Sequence, residues 1–330
     1  MPPALSNRSS VGTRAWKALC AIVVFLSLPS IGGPPSGGRA GEASAKSLSD
    51  EILDTVKRAQ KFLLGERPCG ARFGLKGEAW RELAGGIESR VLHVTPAEGK
   101  AAVVLHLVRA DPKEISIRGL LSKDFGQKAS TAADFAERSG ALAVTNAGFY
   151  DKALRPLGLL VVDGKRRRAF IGLRGRPSDA LYNGVFLVKG GKPAIRRNKE
   201  YRPGGEELAV QAGPLLIAEG KPAASLRGLR DSKRLDGRLV LSLDGRGRFV
   251  IWVTATPLNG MNWCELRDVM LQYAGLEGGA KARNAEIRWA LNLDGGASAQ
   301  LYVRKNGLKG NPPQVKGNPV PVALGFFPRD

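Results

Sequence analysis

Cysteine and histidine are scarce in this chain, and each shortage removes a class of chemistry. Among 330 residues there are two histidines, His93 and His106, and three cysteines, none at metal-ligand spacing. No H-E-x-x-H pair occurs, no G-x-S-x-G elbow presents a serine nucleophile, and no G-x-x-x-x-G-K-[ST] loop cradles phosphates. Both histidines fall inside strand-like patterns, where a half-buried packing imidazole is the commoner outcome. Aromatic residues make up 6% of the chain, and neither heptads nor an RNA-binding aromatic signature is present. Acidic residues are the other deficit: 30 Asp+Glu against 51 Lys+Arg give a formal net charge of +21. The basic residues recur along the chain, at Lys165 to Arg168, Arg174, Arg176, Arg196 to Lys199 and Arg227 to Arg234. Such a surface concentrates anions, which points to polyanions or phosphate esters as partners.

What the N-terminus holds narrows that choice. Arg8, Arg14 and Lys17 precede the apolar run Ala18 to Leu28, and a Pro/Gly/Ser-rich stretch with small residues follows. A run of that length is short for a bilayer span and has the layout of a secretory signal. Cleavage is expected near Ala40, Ala43 or Ala45, so residues 1–45 are read as signal peptide and linker, with no stable membrane insertion after cleavage. Cys20 precedes most of the apolar run, unlike a lipoprotein cysteine. Export makes the protein periplasmic or secreted and nucleic acid an unlikely partner. It leaves Cys69 and Cys264, which an oxidising compartment allows to bridge; two separate thiols are the alternative.

Residues 46–89 are read as a helical lead-in, because Leu48, Ile52, Leu53, Val56, Ala59 and Phe62 recur near one face, with Ser49 as N-cap. From residue 90 onward strands dominate. "VLHVTP", "AAVVLHLVRADP", "ALAVTNAGFY", "LGLLVVDG", "GVFLVKGG", "AVQAGPLLIAEG", "RLVLSLDGRG" and "RFVIWVTA" are apolar segments ended by turn residues. Helices are expected at "TAADFAERSG" and "NWCELRDVMLQYAGL". Short Gly-containing turns favour antiparallel pairing. The expected fold is α+β, one domain over 90–330 with a largely antiparallel or mixed sheet flanked by helices.

Several strands end in polar residues beside glycines: Asn146, Ala147 and Gly148 in "VTNAGFYD"; Gln211, Gly213 and Pro214 in "VQAGPLL"; Asp294, Gly295, Gly296 and Ser298 in "NLDGGAS". Any one of them reads as a hairpin turn. As an ordered series, "TNAGFYD", "RPLGLLVVDGK", "NGVFLV", "QAGPLLIAEGK", the segment around Arg234 and "ALNLDGGASAQLY" resemble the phosphodiester glycosidase family. The resemblance covers roughly residues 91–327 and is nearest to bacterial envelope members associated with exopolysaccharide. Ala147 and Leu235 depart from the family pattern, which commonly has glycine and threonine there.

That resemblance implies hydrolysis of a sugar-1-phosphodiester. The leaving phosphate monoester needs little protonation, a carboxylate beside the anomeric carbon activates water or stabilises an oxocarbenium-like transition state, and an arginine fork holds phosphate. It assigns the carboxylate to Asp294 and the clamp to Arg234. Asn146 and Ser298 orient sugar and phosphate, and Gly295 and Gly296 offer backbone donors. Gly148, Phe149, Gln211 and Gly213 complete the substrate pocket, with Glu265 as a second carboxylate or else a solvated helix-face residue. No cofactor is implied; a divalent cation shared by Asp244 and Asp294 stays open. The competing expectation is a non-catalytic basic module that binds anionic polysaccharide or wall polymer.

Overall fold

In the computed structural model the described residues are 70–96, 102–223, 226, 234–254, 260–278, 287–304 and 312–329. They all fall within the compact unit Lys57–Asp330. The expected leader, its cleavage region, the helix over 48–62 and Cys69 lie outside the described residues.

The apolar runs become strands. In chain order these are β1 (Phe73–Gly77), β2 (Arg81–Ala84), β3 (Ile87–Pro96), β4 (Val103–Ala110), β5 (Ile115–Leu121), β6 (Ala143–Asn146), β7 (Leu160–Val162), β8 (Lys165–Arg168) and β9 (Gly184–Lys189). The second half supplies β10 (Lys192–Arg197), β11 (Glu206–Ala212), β12 (Leu215–Ala218), β13 (Lys221–Pro222), β14 (Leu239–Asp244), β15 (Phe249–Thr254), β16 (Ile287–Asn292), β17 (Leu301–Val303) and β18 (Val322–Pro328). Among the described residues they form sheets of nine, five and four strands. The pairings that connect them are antiparallel. The described residues are therefore mostly β, with the antiparallel sheets expected, and α+β flanked by helices fits them only roughly. The flanking layer consists of two α-helices among the described residues, α1 (Ala132–Ser139) and α2 (Trp263–Gly278).

Period-two alternation explains the layers. In β15, Phe249, Ile251 and Val253 enter one core cluster, while Val250 and Trp252 enter a second. The first cluster gathers side chains from all three sheets, among them Ile117 and Leu324, Phe186 and Leu208, and Leu241 and Leu291. The second includes Leu266, Val269 and Met270 of α2 against the other face of the nine-stranded sheet. A sheet buried on both faces needs apolar residues on both, so its central strands read as unbroken runs. The small helix α1 starts at a capping box, Thr131 with Asp134, ends at Gly140 in the left-handed region, and packs Phe135 and Ala136 on the four-stranded sheet.

The boundary at residue 90 falls inside β3. Residues 73–77 and 81–84 are strands of the largest sheet, so the sheet begins before the expected domain start. Strand β5 pairs with β18 far along the chain, and a local pattern search does not pair them.

Candidate active site

Two Asp-Gly loops cross where β16 ends and β14 begins. The first carries Asp294, Gly295 and Gly296; the second carries Asp236 and Gly237. Gly296 N donates to Gly237 O at 2.8 Å. A Cβ on Gly295 would lie 2.7 Å from Gly237 O, and one on Gly237 would lie 2.7 Å from Gly296 O. Only bare backbone fits on both sides of that contact. Gly296 also has φ +60, and a Cβ there would sit 3.4 Å from Asp236 Oδ1. The glycines are thus the reason two carboxylates can share this corner.

Asp294 is held from several directions. Its N–H donates to Ala147 O at 3.1 Å, and its carbonyl accepts from Asn146 Nδ2 at 2.8 Å. Gly295 N donates to its Oδ1 at 3.1 Å. Ser298 lies beside the carboxylate and favours its charged form. The Tyr150 hydroxyl and Ser298 Oγ share a hydrogen bond at 2.9 Å in which either oxygen can donate, so Tyr150 holds Ser298 next to Asp294. Burial pushes the Asp294 carboxyl up to about 6; the Ser298 and Gly295 hydrogen bonds oppose this, and the nearby Asp236 charge reinforces it.

Asp236 holds its own loop through Gly237 N, which donates to Oδ1 at 2.9 Å, and it pairs with Arg234 Nη2 at 3.1 Å. The Arg234 side chain is 55% exposed, so its guanidinium is open to an incoming anion. Behind it, buried Arg238 fixes the loop: Nε donates to Met261 O at 2.7 Å, Nη2 donates to Arg234 O, and the guanidinium lies 4.5 Å from the Trp263 ring centre.

The expected residues separate into those at the crossing and those that support it. Asp294, Arg234, Gly295, Gly296 and Ser298 come together. Asn146 is a brace: Nδ2 bonds Asp294 O, and Oδ1 accepts from Gln300 N at 3.0 Å, so it shapes the loop. Gln211 is also structural. Its Oε1 accepts from Leu159 N and Ile171 N, its Nε2 donates to Ile171 O and Tyr182 O, and no capacity remains for a ligand. Gly148 and Gly213 permit close backbone packing, because a Cβ would lie 3.0 Å from Val210 Cγ1 and 2.3 Å from Ala180 O respectively. Phe149 packs on the core edge-on to Tyr182, with ring centres 6.0 Å apart.

Glu265 corrects the solvated-face reading offered for it. It is fully buried, not a solvated face, and it closes a capping box at the start of α2: Oε2 accepts from Asn262 N at 2.9 Å, and Asn262 Oδ1 accepts from Glu265 N at 2.8 Å. Asp244 is remote from Asp294. It ends β14, whose first residues pair with the end of β16, so roughly 17 Å of strand separates the two carboxylates. A shared cation is geometrically ruled out for that pair. Among the described residues no group of three or more His, Cys, Asp or Glu side chains is placed to hold a metal ion. His106 sits on β4 in the nine-stranded sheet, where burial lowers its imidazole. Cys264 is disulfide-bonded; its expected partner Cys69 lies outside the described residues, while the next residue, Gly70, donates to Asp268 one turn along α2.

Two residues at the crossing were not singled out from sequence. Asp236 sits in an Asp-Gly pair two positions after Arg234, and the repeat of Leu-Asp-Gly was its available signal. Tyr150 ends the quoted "TNAGFY", but its reach to Ser298 crosses 148 residues and has no local trace.

Known proteins share this architecture. A family model described as phosphodiester glycosidase matches residues 139–327, more than half of the chain. The catalytic domain of zebrafish N-acetylglucosamine-1-phosphodiester alpha-N-acetylglucosaminidase, auto-inhibited by its pro-peptide, superposes with a TM-score of 0.54 at 15% identity, covering 77% of this chain and 88% of that one. A hypothetical protein from Synechocystis gives 0.52 at 17% identity, covering 79% and 69%. At these identities the likeness shows the fold. The uncharacterized protein YigE of Escherichia coli (strain K12) is 35% identical over 77 residues, which is 23% of this chain and 30% of that protein's length.

Proposed function

Because the chain belongs to the phosphodiester glycosidase family, we propose that it hydrolyses the glycosidic bond of a sugar-1-phosphodiester, with Asp294 acting at the anomeric carbon. The observation that carries this reading is the half-buried Asp294 carboxyl, raised to about 6 at a loop crossing that also presents Asp236 and Arg234.

The chemistry follows from those groups. The bond between the anomeric carbon and the phosphate oxygen breaks, and its electron pair leaves with the phosphate monoester. Water adds to the anomeric carbon and gives a proton to Asp294, which returns it to solvent. A base with a pKa near 6 is mostly ionised at neutral pH, yet basic enough to accept that proton. The Gly295 N–H orients the carboxylate, and Tyr150 holds Ser298 beside it. Arg234, drawn toward Asp236 in the free protein, offers a planar fork to two phosphate oxygens. Asp236 would then hold that fork in place through the contact it already makes.

Substrate context comes from the rest of the chain. The leader-like N-terminus and the bonded Cys264 support an exported, oxidising location, periplasmic or secreted, and the +21 charge supports an anionic envelope glycan as substrate. No helix among the described residues is long and apolar enough to cross a membrane. That same charge is what favours a second reading, a binding module without turnover. Purified protein incubated with chromogenic sugar-1-phosphodiesters of both anomers separates the two. The hydrolase reading expects release of the chromogenic phosphate ester and loss of that release in Asp294→Asn. Binding of anionic glycan with no turnover of any of these substrates would leave the module reading.

A further inference from the structure

Strand β8 contributes to a groove that the proposed chemistry does not use. The groove encloses about 480 Å³. Lys123, Lys128, Arg167 and Arg168 line it together with apolar residues such as Leu154 and Leu160, and no carboxylate does. Simple alternation would send Arg166 and Arg168 to one face of β8 and Arg167 to the other. The pairing with β7 slips instead: Val161 faces Arg166 and Leu160 faces Arg168, leaving Arg167 as an extra residue. A bulge of this kind re-aims side chains. Arg167 and Arg168 line the same groove as the two lysines, whereas Arg166 lines a different pocket beside Phe170 and Tyr201.

Two short connections join the groove to the Asp294 loop. Pro156, in its wall, bridges to Tyr150, and Tyr150 contacts Ser298. Val322, also in the wall, accepts from Ala147 N through its carbonyl, and Ala147 O accepts from Asp294 N. Arg168 is anchored by Nε on Pro156 O at 2.8 Å.

We propose that this groove binds an anionic glycan chain, with sugar faces on the apolar floor and negative groups on the four cations, and leads that chain to the Asp294 loop. The second half of the statement rests on the hydrolase reading; the first does not. Nucleic acid fits the lining less well, because it contains no aromatic ring on which a base could stack.

The test compares the full chain with a groove variant, Lys123→Ala/Lys128→Ala/Arg167→Ala, and a charge-matched control at exposed sites, Lys113→Ala/Lys165→Ala/Lys192→Ala. Arg168 is left intact because it braces the hairpin next to Tyr150. Binding to dextran sulfate is measured at low and high salt, with single-stranded DNA of similar charge as a second probe, and turnover is followed on a small sugar-1-phosphodiester. The expected result is about tenfold weaker dextran sulfate binding for the groove variant at low salt, a much smaller loss for the control, and small-substrate turnover retained in both. Equal losses in the two variants would overturn the groove assignment while leaving the hydrolase reading intact. Groove-dependent binding of DNA in preference to dextran sulfate would overturn the glycan assignment. Groove-dependent glycan binding by a wild-type protein that turns over no small substrate would keep the groove and sink its link to catalysis.

Discussion

The tripeptide Leu-Asp-Gly occurs at 235–237, 243–245 and 293–295, and the protein gives it different uses at the two ends of one strand pair. At the far end, Asp244 closes the hairpin between β14 and β15. It accepts from Arg246 N and Arg248 N at 2.9 Å and pairs with Arg248 Nη2 at 2.8 Å. Every bond its carboxylate makes is local, and the side chain does what an aspartate in a turn usually does. At the near end, Asp294 and Asp236 meet through glycine backbones that are 58 residues apart, as read from 237 to 295. There the carboxylate is partly buried with a second acid beside it and is pushed up to about 6. The difference lies in the crossing and in what approaches the aspartate, not in the tripeptide.

The largest expected effect breaks that comparison in the kinetics. Asp294→Asn should lower turnover of a sugar-1-phosphodiester by about a hundredfold or more, with substrate affinity largely kept, since the amide retains shape and loses the charge needed in the transition state. Asp244→Asn should leave turnover near wild type and instead cost about 1–3 kcal/mol in denaturant unfolding, as local hydrogen bonds and an ion pair are weakened. Reversed outcomes would exchange the roles assigned to the two ends.

A second consequence concerns stability. The Asp294 carboxyl binds its proton more tightly in the folded chain than the ordinary value of 3.8 implies for the unfolded one. Its contribution to folding is therefore fully present below pH 3.8, declines as pH rises toward about 6, and is absent above. The loss is on the order of 2–3 kcal/mol. Unfolding curves of wild type and Asp294→Asn should differ in slope across that window, with the variant the more stable at pH 7 relative to pH 4. Parallel curves would mean the carboxyl is not held up by its surroundings.

A smaller effect is expected at Arg234. Its half-exposed guanidinium touches Asp236 through one nitrogen, so Arg234→Lys keeps charge but loses the planar fork proposed to hold phosphate. kcat/KM should fall by about tenfold, mostly through KM if the fork binds phosphate equally in substrate and transition state. A Lys variant with wild-type kcat and KM would remove the clamp role.

Much of the scaffold was legible because its signals are local. Apolar runs at 239–243 and 249–253 mark strands buried on both faces, and Thr131, Asp134 and Gly140 mark both ends of α1. The helix beginning at Trp263 was equally readable. What failed was reading partners. Gln211 looks like a polar residue at a strand end, yet four backbone groups from segments near 159, 171 and 182 consume it. Glu265 looks exposed on a helix, yet it is buried and its Oε2 caps Asn262 N. Asp236 carries no more sequence signal than Asp244, and only the crossing of bare glycine backbones distinguishes them. Local pattern thus marked the strands, the family resemblance pointed to Asp294, and long-range packing decides what surrounds it.

The central claim, that the crossing tunes Asp294 for use as a base, is tested most directly by the pH dependence of kcat/KM in wild type and Asp236→Asn. Wild type should lose activity on acidification with an apparent pKa near 6. Removing the neighbouring charge that helps hold the Asp294 proton should move that limb to lower pH in Asp236→Asn, even if the absolute rate falls. A limb that stays in place, or activity that rises on acidification through pH 6, would contradict the account.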